Sequence, residues 1–162
     1  MATLRHPLFG GNSGYSLNEC AAGGLRCVQS MISLAANPTA TDVYRICKLP
    51  AGHRVVDVAL ISDDMDANGS PTFTVDVGIE DEIGATTDDD IFFVLSTLPG
   101  VAGGISKCAL KAMTDLAAVD NDRWVTITIG VAAATFAAGE IGVCLTTRPD
   151  QTLEAAVAAE AV

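Results

Sequence analysis

The stretch Thr72-Phe-Thr-Val-Asp-Val-Gly-Ile79 alternates apolar and polar positions without a break: Phe73, Val75, Val77 and Ile79 on one side, Thr72, Thr74 and Asp76 on the other. Neighbours on one face of a helix recur every three to four residues, so a strict period of two marks a strand with one buried face. The same rhythm returns in Trp124–Ile129, where Val125, Ile127 and Ile129 fall on one side, and in Glu140–Thr146, where Ile141, Val143 and Leu145 do. Weaker alternation marks Leu25–Leu34, Val43–Leu49, Arg54–Ile61 and Ile105–Met113. Turn-forming clusters separate these runs: Asn37-Pro38, Pro50-Ala51-Gly52, Asn68-Gly69-Ser70-Pro71, Pro99-Gly100, Gly103-Gly104 and Asp120-Asn121-Asp122. Seven or eight short strands with little helical period predict an all-β chain, an antiparallel β-sandwich or jelly roll. Asp88–Leu95 reads two ways. Its aspartates cap a short helix with Ile91, Val94, Leu95 and Leu98 on one face, or they lead into a strand.

Half of the 162 residues are apolar, but that content is mostly Ala and Val, with one Trp, two Tyr and five Phe. Small side chains suit thin β-layers better than a deep ligand pocket, and Trp124, inside an alternating strand, is expected in the core. Three zones follow. Residues 1–24 are rich in Gly, Asn and Ser, with apolar residues at no regular spacing, and cannot build a core of their own. They read as an extended arm laid along another surface, a partner's by preference. Residues 25–149 hold the strands. Residues 150–162 are Ala- and Glu-rich, a short helix or a solvated tail.

Charge is segregated. Between Asp57 and Ser106 stand eleven acidic residues and no lysine or arginine, which equals the net charge of the whole chain, -11. Residues 1–56 carry +3 and residues 107–162 carry -3. Such a surface repels nucleic acid, so no nucleic-acid partner is expected. The acidic loops are expected to face solvent or a subunit rim. Arg45, Lys48 and Arg54 flank one turn without interleaved aromatics and are expected to pair with acidic neighbours.

Five cysteines, without a CxxC pair, suggest reduced thiols acting as small buried hydrophobes. The N-terminus lacks the apolar segment of a signal peptide, and no apolar run is long enough to span a bilayer. Synthesis in the cytoplasm, with no membrane partner, is the expectation.

Asp64-Met-Asp66-Ala-Asn68-Gly69 fits the opening of a calcium loop, in which alternate oxygens wrap one hard cation. The twelfth position, where a bidentate Glu belongs, is Val75, and the flanks read as strands. The competing reading is a connection in which Asp and Asn bond nearby backbone and Asn68-Gly69 supplies positive φ angles. Asp64, Asp66 and Asn68 are therefore weak metal candidates and no metal is assigned. Glu80-Asp81-Glu82 and Asp88-Asp89-Asp90 read as solvated edges. His6 and His53, the two histidines, stand in the arm and in a turn, beside no nucleophile that sequence can place. Neither catalytic residues nor a cofactor are expected.

Three stretches carry a resemblance: Val43-Tyr-Arg-Ile-Cys-Lys-Leu-Pro-Ala-Gly-His-Arg-Val-Val-Asp-Val58; Gly69-Ser-Pro-Thr-Phe-Thr-Val-Asp-Val-Gly78 with the acidic loop and Asp90-Ile-Phe-Phe93; and the closing strands to Arg148-Pro149. Over residues 40–149 the chain resembles the head decoration, or cement, proteins of tailed bacteriophages. The resemblance implies a β-sandwich on the outer capsid surface, clamping subunits of the major capsid protein, with no catalytic residue. Self-association follows for a protein seated on a symmetry axis, a homotrimer first and a dimer second. From composition, Leu4, Arg5, Leu8, Phe9, Tyr15 and Leu17 are the arm residues expected to grip the capsid. The alternative is a carbohydrate- or cation-dependent virion binding module, an adhesin or a tail or baseplate component.

Overall fold

The structure, a computed structural model, describes residues 3–5, 24–82, 86–109 and 116–150. Among them run nine strands: β1 (Thr3–Arg5), β2 (Arg26–Leu34), β3 (Val43–Leu49), β4 (His53–Ser62), β5 (Thr74–Asp81), β6 (Thr86–Ser96), β7 (Gly104–Lys107), β8 (Arg123–Val131) and β9 (Gly139–Pro149). One short helix, α1 (Leu98–Val101), links β6 to β7. The strands form two sheets, β1-β3-β8-β5-β6 and β2-β9-β4-β7. From β2 to β9 every pairing is antiparallel, and successive strands cross between the sheets except at the β5–β6 hairpin. An order of β2-β9-β4-β7 facing β3-β8-β5-β6 is a jelly roll, two interlocked Greek keys.

The inner faces are those the alternation marks. Phe73, Val75, Val77 and Ile79 are buried, as are Val125, Ile127 and Ile129, and opposite them Ile141, Val143 and Leu145. Phe92, Ile46, Leu49, Leu60 and Met65 fill the space between the sheets. Burying each such side chain stabilises the fold by about 1.5–3 kcal/mol, so the paired sheets hold each other without disulfides. Gly52 sits at φ +69° between the Pro50 carbonyl and the His53 N–H that bonds it at 3.2 Å. Glycine takes that left-handed conformation at little cost, which lets β3 turn tightly towards β4.

Of the two readings of Asp88–Leu95 the strand holds: the segment belongs to β6, paired with β5, and the helix is confined to Leu98–Val101. Other expectations are revised. The Ile105–Met113 strand ends at Lys107, and residues 110–115 lie outside the described part. Asn68 and Gly69 do not take positive φ angles; Thr41 and Leu95 do, besides four glycines. Trp124 is buried but lies on the outer side of its sheet, between Lys48 and Glu80 in register. The cysteines are not uniformly core residues. Cys47 is buried, Cys108 and Cys144 are half-buried, and Cys27 is exposed because it alternates to the outer face of β2; Cys20 lies outside the described residues.

The arm begins differently from expectation. Thr3–Arg5 pairs in parallel with Val43–Arg45 of its own chain, so β1 covers backbone groups that β3 would otherwise present at a sheet edge. At the other end, Asp150 is buried and its N–H bonds the Gly52 carbonyl at 2.7 Å, so the first tail residue is fixed to the β3–β4 turn. Residues 151–162, the rest of the tail, lie outside the described part.

Candidate functional site

Asp66 is the most heavily engaged polar side chain. It is 2% exposed. Its Oδ2 accepts backbone N–H bonds from Thr72 (2.8 Å), Ala134 (3.0 Å) and Phe73 (3.2 Å), and its Oδ1 from Thr135 (2.9 Å) and Asn68 (3.3 Å). Burial works against its charge, but the N–H groups of Thr135, Thr72, Ala134 and Asn68 outweigh it and hold the carboxyl well below the usual range. Asp64 Oδ1 and Asn68 Oδ1 accept from the N–H two residues ahead, at Asp66 (3.3 Å) and Ser70 (3.0 Å). The alternate-oxygen spacing thus builds a series of Asx turns. Asp66 ties the β4–β5 connection to the β8–β9 loop, with both oxygens facing N–H donors rather than an open coordination sphere.

A second constellation lies on the outer face of β3, β8 and β5. Arg45 Nε bonds Glu80 Oε2 at 2.6 Å, with each side chain 8% exposed. The Trp124 ring lies beneath two cations, 5.2 Å from Lys48 Nζ and 5.9 Å from the Arg45 guanidinium. Lys48 also meets Asp122 at 3.2 Å and Glu82 at 3.3 Å. Asp122 accepts the Ala51 N–H at 2.9 Å, and that bond first, with Lys48, keeps its carboxyl below the ordinary value against the effect of burial. Arg54 bonds Asp150 at 2.5 Å. All three residues of the basic cluster are therefore paired, as their spacing suggested.

Among the described residues, Asp88, Asp89 and Asp90 form a group of carboxylates within 4.8 Å of one another. A hydrogen bond to Asp88, followed by burial and the charges of Asp88, Asp89 and Asp76, raises the Asp90 pKa. They stand on β6, the edge of its sheet, where charge discourages stray strand pairing. His53 lies within 3.0 Å of the Ala51 carbonyl and 3.4 Å of Arg26 Nη1. Arginine can only donate, so Nε2 is placed to accept from Arg26 and Nδ1–H to donate to Ala51, and the ring serves the turn. His6 lies outside the described residues.

β6 and β7 close the same side of the sandwich, and there Val94, Leu95, Val101 and Ile105 are 55–69% exposed. Exposed apolar side chains on these edge elements are surface available for contact. Of the arm residues singled out in the sequence, Leu4 and Arg5 lie in β1; Leu8, Phe9, Tyr15 and Leu17 lie outside the described part.

This architecture matches solved structures of phage heads. A chain in the capsid of Ralstonia phage GP4 superposes with a TM-score of 0.78 at 25% identity, covering 91% of this chain and 98% of that one. The chain is similar to phage capsid proteins. A chain of the cyanophage Pam1 capsid asymmetric unit follows at TM-score 0.62 and 29% identity, over 78% of this chain and 86% of that one. One from the acid-stable capsid of Helicobacter pylori bacteriophage KHP30, at TM-score 0.53 and 19% identity over 76% and 88%, shares the fold. No protein-family model and no curated protein matches the sequence. The sequence names Asp66 and its local backbone bonding but not its distant donors, and it does not show the β6–β7 rim. The donors to Asp66 come from residues 72–73 and 134–135, and the rim needs strand order, so neither leaves a local signal.

Proposed function

We propose that this chain is a non-enzymatic structural protein of a bacteriophage virion, and within that role a head decoration protein on the outer surface of the major capsid protein lattice. The observation that carries the virion role is the near end-to-end match to a chain of the Ralstonia phage GP4 capsid, 91% of one and 98% of the other. The decoration role rests on the resemblance over residues 40–149, with two features of the fold in support. One is the apolar rim of Val94, Leu95, Val101 and Ile105. The other is the N-terminal strand β1, which brings the start of the chain to the edge of the sandwich beside β3.

The work is mechanical. Each copy buries apolar and backbone surface across a seam between capsid subunits, and many copies on a lattice turn modest contacts into a strong clamp. The arm, through Leu4, Arg5, Leu8, Phe9, Tyr15 and Leu17, supplies much of the grip. The acidic face points outward, and copies associate as a homotrimer. Deleting residues 1–20 tests the arm. The truncated chain should keep its β-sheet circular dichroism and cooperative unfolding yet lose binding to undecorated heads, whereas undiminished binding refutes the arm's role.

A further inference from the structure

Cys27 on β2 and Cys144 on β9 place their Sγ atoms 3.3 Å apart. Cys27 is in register with Thr146 and Gln29 with Cys144, so the thiols are diagonal neighbours on one face of adjacent strands. That is the outer face, because Val143 and Leu145 point into the core between them. Cys27 is exposed and Cys144 half-buried, so a solvent-borne reagent reaches the pair. Cys47 offers no competition: it is fully buried, which pushes its thiol up to about 12.

We propose that Cys27 and Cys144 are a disulfide-forming site, closed by a low-molecular-weight disulfide once the protein leaves a reducing compartment. The Cys27 thiolate attacks one sulfur of the oxidant, such as oxidised glutathione, forming a mixed disulfide and expelling one glutathione thiolate. The Cys144 thiolate then attacks the Cys27 sulfur and expels the second. Two protons leave the cysteines for the two glutathiones, and two electrons pass from the protein to the oxidant. The sulfurs must close from 3.3 Å to a bond of about 2.05 Å, and because the two residues are diagonal rather than directly opposite, closure draws β2 and β9 together locally.

The consequence follows from topology. β2 is the first strand of the jelly roll and β9 the last, so a bond between residues 117 positions apart staples the two ends of the sandwich. Cys144 has its thiol raised to about 11 by burial, by the Cys27 thiol and by Asp57. Closure is therefore slow at neutral pH and accelerates as pH rises, because the thiolate fraction grows. The inference rests on the 3.3 Å approach of the two thiols on β2 and β9 and stands whether or not the chain coats a capsid.

The test compares the full chain after incubation with oxidised glutathione and with dithiothreitol. Peptide mapping should recover Cys27 joined to Cys144, with two of the five thiols lost. The melting temperature should rise by about 10 °C, the order expected for so long a loop. C27S and C144S should each abolish that rise, and C144S should accumulate the glutathione adduct on Cys27. The proposal is overturned if Cys27 is recovered joined to Cys20, if no cross-link forms, or if the melting shift survives in either variant.

Discussion

Replacing Glu80 by alanine should be among the most damaging single changes outside the core. Arg45 and Glu80 are each 8% exposed and meet at 2.6 Å, so the substitution leaves a guanidinium in a desolvated site without its counter-ion. Arginine cannot shed its proton to escape. Removing one partner of a buried pair costs about 3–5 kcal/mol. The Trp124 face, 5.9 Å from the Arg45 guanidinium, offsets about 0.5–1 kcal/mol of that. A net loss of about 3 kcal/mol lowers the melting temperature by about 6–12 °C for a chain of this size. Urea unfolding should show a lower midpoint with an unchanged slope, which marks a stability change rather than a change in the denatured state. The double variant R45M/E80M should lie within about 1 kcal/mol of the parent, because it removes both charges and keeps the volume. A loss below about 0.5 kcal/mol for E80A shows that water screens the pair, and the desolvation argument fails.

Asp66→Asn should destabilise the fold at neutral pH by replacing one acceptor oxygen with a donor that faces N–H groups. The Asp66 carboxyl is held below its usual range, so the stability it contributes is complete at neutral pH and lost only as pH falls beneath that range. The melting-temperature gap between variant and parent should thus narrow in acid, and a gap independent of pH contradicts the assignment. Calcium should leave the parent's melting temperature unchanged, since both Asp66 oxygens face backbone donors. A calcium-dependent rise would reinstate Asp64, Asp66 and Asn68, or Asp88–Asp90, as a cation site.

Much of the jelly roll is legible in the sequence because a half-buried strand writes its inward face as a period of two. Val43–Leu49 is read to the residue, and the inward sets on β5, β8 and β9 are those the alternation names. Trp124 shows where residue type misleads. Its neighbour Val125 points inward, so alternation alone sends Trp124 outward, and the aromatic is buried there by Arg45 and Lys48 instead of by the core. β6 reads two ways because three aspartates near its start resemble a helix cap, and only pairing with β5 decides for the strand. The bulge between Arg45 and Cys47 inserts Ile46 into β3 against β8, lets Ile46 and Cys47 both be buried and so breaks the alternation. The sites depend more heavily on distant partners. Asp66 draws donors from residues 68 positions and more away, and Cys27 meets Cys144 only through the β2–β9 register. Charge pairing was partly readable, since Arg45, Lys48 and Arg54 stood close together in a chain with an excess of carboxylates.

The central claim is that this chain coats the outside of a phage head. Its most direct test is sedimentation of the purified chain with undecorated capsid shells of the same phage, followed by cryo-microscopy of the pellet. Saturable co-sedimentation is expected, with a jelly-roll density on the outer surface at fixed lattice positions touching more than one major capsid subunit. A chain left in the supernatant, or a density confined to the tail or the capsid interior, contradicts it.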